Sequence, residues 1–184
     1  MNIRLKLRQM LLEAKHSHKN EYGCVMVYLD VDKDKWESLL DKIDKEDLYE
    51  PEDDPSYGKE SKPHVTALYG LHADISDKDI EKEILNVKKP KIKVGGISAF
   101  KNDKFDVLKF DIESKDMHKI NKNFREFPHT NSYPDYHPHM TIAYLKPDKS
   151  DKYIKKLRDD IDIEITPSHI VYSKVDGSKK EYDL

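Results

Sequence analysis

Two short segments of the chain repeat one another: Pro63-His64-Val65-Thr66-Ala67-Leu68-Tyr69 and Pro138-His139-Met140-Thr141-Ile142-Ala143-Tyr144. Pro, His, Thr and Tyr hold the same four places in both. With 9 His and four Thr among 184 residues, random placement gives roughly 0.2 His-x-Thr triplets, and the chain has two. A pair of imidazoles suits phosphodiester chemistry. Their reference pKa lies near 6.5, so one ring can take a proton from a nucleophilic hydroxyl while the other gives one to the leaving oxygen. The two Thr hydroxyls can donate hydrogen bonds to the non-bridging phosphoryl oxygens, where negative charge builds in the transition state. The catalytic set read here is His64, Thr66, His139 and Thr141, with no metal and no cofactor. A zinc site drawing on His137, His139, His64 and His72 is the rival, because hydrolytic zinc takes three protein ligands. The intervening Pro138, the repeated Thr and the lack of a third-ligand motif speak against it. A lone His is ordinarily a hydrogen-bonded structural residue, which is the reading for His16, His18, His118, His129 and His169.

Residues i and i+2 of a strand face the same side, so each His shares a face with its Thr. The same alternation sends Val65, Ala67 and Tyr69, and Met140, Ile142 and Tyr144, to the opposite face, where the tyrosines would pack in a core. Helical spacing predicts an amphipathic helix over 3–19, followed by a strand over 22–31 and a helix over 34–43. A polar stretch from 44 to 62 reads as a lid or a disordered loop. The first motif strand, 64–70, is followed by a helix over 76–87. A hairpin pairs 91–100 with 105–113 around Lys101-Asn102-Asp103-Lys104. Then come a helix over 114–126, an irregular loop over 127–137, the second motif strand and a helix over 148–159. Strand-like segments at 161–166 and 168–175 precede a short tail. On strand 22–31 the aliphatic face, Val25, Val27, Leu29 and Val31, is the core face. That turns Tyr28 toward the side of the motif residues, where it could stack on a nucleobase. Lys62, beside the first motif, could offset phosphate charge; these two are the candidate substrate-binding residues.

The bulk numbers bound this reading. A length of 184 residues fits one domain, 1–184. Hydrophobic content is 36%, charged content 38% and net charge −3, so no global basic field marks a nucleic-acid coat and an anionic substrate must be met by local donors. Cys24 is the only cysteine, which excludes an intramolecular disulfide and fits a reducing compartment. No run has the length of a membrane span and no signal sequence opens the chain, so no membrane partner is expected. These features point to the cytoplasm. The abundance of Lys, Asp and Ile with little Ala is of the kind an AT-rich genome encodes, viral genomes among them.

Two His-Φ-Thr-Φ motifs, His64-Val65-Thr66-Ala67 and His139-Met140-Thr141-Ile142, resemble the signature of the two-histidine (2H) phosphoesterases, and by element order the resemblance covers essentially the whole chain. It implies an α+β, bilobal fold: two pseudo-symmetric antiparallel-sheet lobes with helices packed outside a central cleft that holds both motifs. It also implies metal-independent attack on ribose-linked phosphates. The bacterial RNA-ligase-like branch follows its second motif with Leu-Ala-Arg, where this chain has Ile142-Ala143-Tyr144. The flanking residues look more like the phage-encoded branch, which includes nucleases that cleave the cyclic oligonucleotide messengers of bacterial antiviral signalling (CBASS). The resemblance therefore implies a cyclic di- or trinucleotide with 3′–5′ linkages as substrate, in the host cytoplasm. The alternatives are an RNA 2′,3′-cyclic or 2′–5′ phosphodiesterase, acting on short RNA-like substrates, and a non-catalytic nucleotide-binding or RNA-binding module.

Overall fold

The computed structural model of the chain describes residues 21–52, 54–131, 135–160 and 162–184. The helix expected over 3–19 lies outside the described residues. The elements run β1 (Gly23–Val31), α1 (Lys33–Asp41), β2 (His64–Leu71), α2 (Asp77–Leu85), β3 (Lys93–Lys101), β4 (Asp106–Glu113), α3 (Lys115–Phe124), β5 (His139–Leu145), α4 (Ser150–Lys156), β6 (Ile165–Ser173) and β7 (Lys179–Asp183). Polar side chains start three of the helices. Asp32 accepts a bond from the Lys35 amide (2.9 Å), and Ser114 Oγ one from the Met117 amide (3.1 Å). The buried Asp106 carboxylate takes the Ser150 amide (3.1 Å) and hydroxyl (2.7 Å) at the head of α4.

All strand pairs are antiparallel and form one seven-stranded sheet in the order β3-β4-β5-β2-β1-β6-β7. This is the α+β, 2H phosphoesterase-like architecture expected, with the two pseudo-symmetric halves fused edge to edge through β5 and β2. One face of the sheet is apolar. Val25, Val27, Val65, Leu108, Phe110 and Met140 project from it into a single core with Trp36, Ile80, Met117 and Phe124 of the helices. Among the described residues no helix covers the other face, as antiparallel sheets permit, and it forms the floor of the cleft.

Four expectations need correction. The described residues of the stretch from 44 to 62 pack along the sheet, where a lid or a disordered loop was expected. It contains a short 3-10 turn (Lys45–Asp47) and runs beside the far half of β5, where the Tyr144 amide bonds the Gly58 carbonyl (2.8 Å) and the Glu60 amide the Ile142 carbonyl (2.9 Å). Its polar sequence concealed a backbone that supplies the hydrogen bonds β5 lacks there. At the other end, the two segments expected at 161–166 and 168–175 are one strand. β6 passes straight through Pro167, because a bulge opposite Tyr28 and Leu29 removes the need for a ladder donor at that point. The expected tail is a strand too: β7 pairs with β6 from His169–Asp183 to Ser173–Lys179.

The fourth concerns the motif strands themselves. Val25 pairs with Leu68 but Met26 with Thr66, so Ala67 is an extra residue on β2; Leu108 pairs with Ala143 but Lys109 with Thr141, so Ile142 is an extra residue on β5. Each repeat thus carries a bulge directly after its Thr. A bulge resets the alternation, and Tyr69 and Tyr144 turn onto the open face rather than into the core. Tyr69 is 53% exposed there.

Candidate active site

The two motifs meet at the centre of the sheet. Among the described residues β2 and β5 share one registered pair, Val65 with Met140. Carried one residue either way, antiparallel pairing sets His64 across from Thr141 and Thr66 across from His139. Val65 and Met140 are fully buried below, so all four motif side chains rise from the open face around a local two-fold axis.

Each imidazole is fixed in the same way. His64 Nδ1 bonds the Lys62 carbonyl (2.9 Å), and His139 Nδ1 bonds the His137 carbonyl (2.8 Å). A carbonyl can only accept, so Nδ1 carries the hydrogen and Nε2 is left for chemistry. Pro63 and Pro138 stand between each His and its carbonyl partner and hold that short turn extended. The bulges are fixed as well. The buried Asn121 of α3 donates to the Ala67 carbonyl (2.7 Å), Tyr136 Oη donates to the Thr66 carbonyl (2.9 Å), and the Glu60 amide donates to the Ile142 carbonyl.

The surroundings differ between the two halves. Tyr28 of β1 stacks on His64 (ring centroids 5.3 Å apart, 28° between planes) and on His169 (5.0 Å, 15°). The Glu60 carboxylate lies 3.8 Å from His64 Nδ1, and Glu60 is placed by the bond from Trp36 Nε1 to its carbonyl (2.9 Å). Around His139 the neighbours are Phe100, edge-on at 5.0 Å, and Lys109 and Asp111 of β4. Burial, with Lys109 and His64 nearby, holds the His139 ring below the ordinary imidazole range, although the His137 carbonyl and Asp111 act against this. Cys24, beside Thr66, is no nucleophile: burial pushes its thiol up to about 12.

The structure places Tyr28 against the ring of His64. Lys62 lines a cavity of about 410 Å³ together with Tyr28, Ser168, His169, Lys179 and Glu181. Another cavity, of about 420 Å³, opens at α1 and is walled by Asp34, Asp159, Asp160 and Asp162, a charge that repels phosphate. Among the described residues no group of three or more His, Cys, Asp and Glu side chains gathers as metal ligands; His72 Nε2 bonds Thr130 Oγ1 instead (2.8 Å). Sequence reasoning missed Glu60, Ser98, Phe100, Lys109, Asp111 and Asn121. The alternation of Ser98 with Phe100 and of Lys109 with Asp111 in the predicted hairpin could have placed those four on the motif face, but nothing in the sequence ties Glu60 or Asn121 to it.

No helix among the described residues is long and apolar enough to cross a membrane. A comparison with curated proteins gives no match. A family pattern does match, over residues 27–179, and that span takes in both motif strands, both bulges and every strand of the sheet at least in part. The chain belongs to the 2′-5′ RNA ligase superfamily, a family of 2H phosphoesterases.

Proposed function

We propose that this protein is a metal-independent phosphodiesterase that cleaves the 3′–5′ bonds of cyclic di- and trinucleotides, and so removes the messengers of bacterial antiviral signalling. The observation that carries the reading is the two-fold arrangement of His64, Thr66, His139 and Thr141, with both rings pinned at Nδ1 and both Nε2 atoms left for chemistry. In the step, the ribose 2′-oxygen bonds to the adjacent phosphorus and its proton passes to one Nε2. The bond from phosphorus to the 5′-oxygen breaks, and that oxygen takes its electron pair and a proton from the other Nε2. The products are a 2′,3′-cyclic phosphate and a 5′-hydroxyl. Both proton transfers are supplied by imidazole, so the scheme calls for no Lewis acid. Thr66 and Thr141 donate to the non-bridging oxygens. Tyr28 offers a ring for base stacking, worth about 1–3 kcal/mol, and Lys62, lining the same cavity, a cation.

The family's description favours a second reading at the same site, hydrolysis of 2′–5′ linkages or terminal 2′,3′-cyclic phosphates of RNA. One experiment separates the readings. The purified protein is incubated in EDTA with cyclic di- and trinucleotides, 2′,3′-cyclic mononucleotides and 2′–5′ oligoadenylate, and the products are identified by mass. Linearised 3′–5′ products ending in a 2′,3′-cyclic phosphate support the first reading. Turnover of the other substrates alone supports the second, and binding without turnover would show a nucleotide-binding module.

A further inference from the structure

The two-fold axis through Val65 and Met140 relates β4 to β1 and β3 to β6. The register makes the comparison residue by residue. Thr141 is paired with Lys109 where Thr66 is paired with Met26, and His139 with Asp111 where His64 is paired with Tyr28. One strand further out, Lys109 is paired with Ser98 where Met26 is paired with Val171. The catalytic side chains obey the symmetry; their neighbours break it. Directly beside the motifs one half of the cleft floor presents Met26, Tyr28 and Val171, with Lys179 and Glu181 one strand further out, and the other presents the charged set of Lys109 and Asp111.

That set is built around Lys109, which is only 4% exposed. Its ammonium donates to Ser98 Oγ (2.7 Å) and to Asp111 Oδ1, and it sits 4.3 Å from the centroid of the Phe100 ring, which in turn meets His139 edge-on. Ser98 Oγ also donates to Asp111 Oδ1 (2.9 Å), which anchors that carboxylate. A buried, triply held lysine beside an imidazole is a fixed positive charge. Among the described residues, the charged and titratable groups facing His139 are Lys109 and Asp111 from β4 and His64 from β2, and β3 contributes Phe100 and Ser98. Asp111 is already engaged by the lysine. Across the axis, the Glu60 carboxylate lies 3.8 Å from His64 Nδ1.

We propose that Lys109, held by Ser98 and Asp111, is a positioning residue that divides the labour between two otherwise equivalent histidines, with His139 the general base and His64 the general acid. The assignment rests on the phosphodiesterase reading above. A positive charge beside His139 opposes protonation of the resting ring, so His139 Nε2 takes the proton of the attacking hydroxyl. His64, with the Glu60 carboxylate 3.8 Å from its Nδ1, is left to deliver the proton to the leaving oxygen. After the step His139 is the imidazolium and His64 is neutral. Thr141, across the strand pair from Lys109, donates within the field of the same ammonium.

Two experiments test this. In the first, histidine rings labelled with carbon-13 are titrated by NMR, and the pH profile of kcat/KM is measured alongside. Lys109→Met should move the His139 midpoint and the acidic limb together to higher pH, Asp111→Asn should move both to lower pH, and Lys109→Arg should restore the original positions. A purely structural lysine would lower activity without moving either. If Lys109→Met fails to fold, Asp111→Asn alone decides, because its carboxylate is half exposed. An unmoved His139 midpoint in the folded variants overturns the proposal. In the second, a 3′–5′ dinucleotide with sulfur in place of the bridging 5′-oxygen supplies a leaving group that needs no acid. His64→Ala should regain most of its lost rate on it, and His139→Ala should not; the reverse pattern overturns the assignment. A chain inactive on every phosphodiester whose His139 still shifts as stated would defeat the phosphodiesterase reading while upholding the effect of Lys109 on the ring.

Discussion

His64 and His139 each perform one proton transfer in the proposed step, and each transfer contributes roughly 10²–10⁴-fold. His64→Ala and His139→Ala should therefore each lose at least 100-fold in kcat on a cyclic dinucleotide, with unchanged far-UV circular dichroism. Thr66→Val and Thr141→Val should lower kcat more than they raise KM, because their bonds strengthen as charge builds on phosphorus. The expected loss is up to about 2.7–4 kcal/mol, the cost of one oxyanion donor. Steady-state kinetics on purified variants distinguishes this from ground-state binding, which would raise KM alone. These four residues were legible in the sequence because a rare triplet occurs twice. Lys109, Asp111 and Glu60 were not. Each is one charged residue among many in a chain that is 38% charged, and only register or a folded loop brings it to an imidazole.

Among the elements, the paired bulges are the feature that alternation could not foresee. Ala67 and Ile142 read as ordinary inward residues, and both are fully buried. What marks them is the register of a neighbouring strand, a long-range property. The same blindness misplaced Tyr69 and Tyr144, while β1 to β5, the hairpin around 101–104 and the order of the described helices were legible from periodicity and turn residues. Asn121 holds the first bulge by donating to the Ala67 carbonyl. Asn121→Ala should cost about 1–3 kcal/mol, the cost of an unmet buried acceptor, read from the urea midpoint at constant slope. Its kcat should fall too, since a slipped β2 turns Thr66 away. On β1, Tyr28→Ala should weaken binding of a cyclic dinucleotide while Tyr28→Phe should not, measured by calorimetry, because stacking needs the ring and not the hydroxyl.

At the scale of the whole molecule, distant segments are fastened by buried polar groups as well as by the core. Asp47, in the turn after α1, accepts from Tyr153 Oη (2.8 Å) and pairs with Lys152 and with Lys149 Nζ (3.4 Å), all of α4 and the residue before it. The bond from Lys152, with those from Tyr153 and Lys149, lowers its carboxyl from 3.8 to about 2. A depressed carboxylate contributes its stability above the unfolded value and loses it as pH falls through the folded one. The urea midpoint should thus decline between about pH 4 and pH 2, and Asp47→Asn should be less stable at pH 7 while showing a shallower decline over that window. A longer tie joins β1 to β6, from Cys24–Ser173 to Val31–Ile165. During synthesis β1 leaves the ribosome about 150 residues before its partner, on the order of ten seconds at ordinary elongation rates. β2 can cover one edge of β1 early, but the other stays open throughout that time, with Val25, Val27 and Leu29 alternating beside it. An open edge of this kind is a template for other nascent chains. Yield in a cell should therefore depend on chaperone supply and elongation speed as well as on the stability of the finished fold.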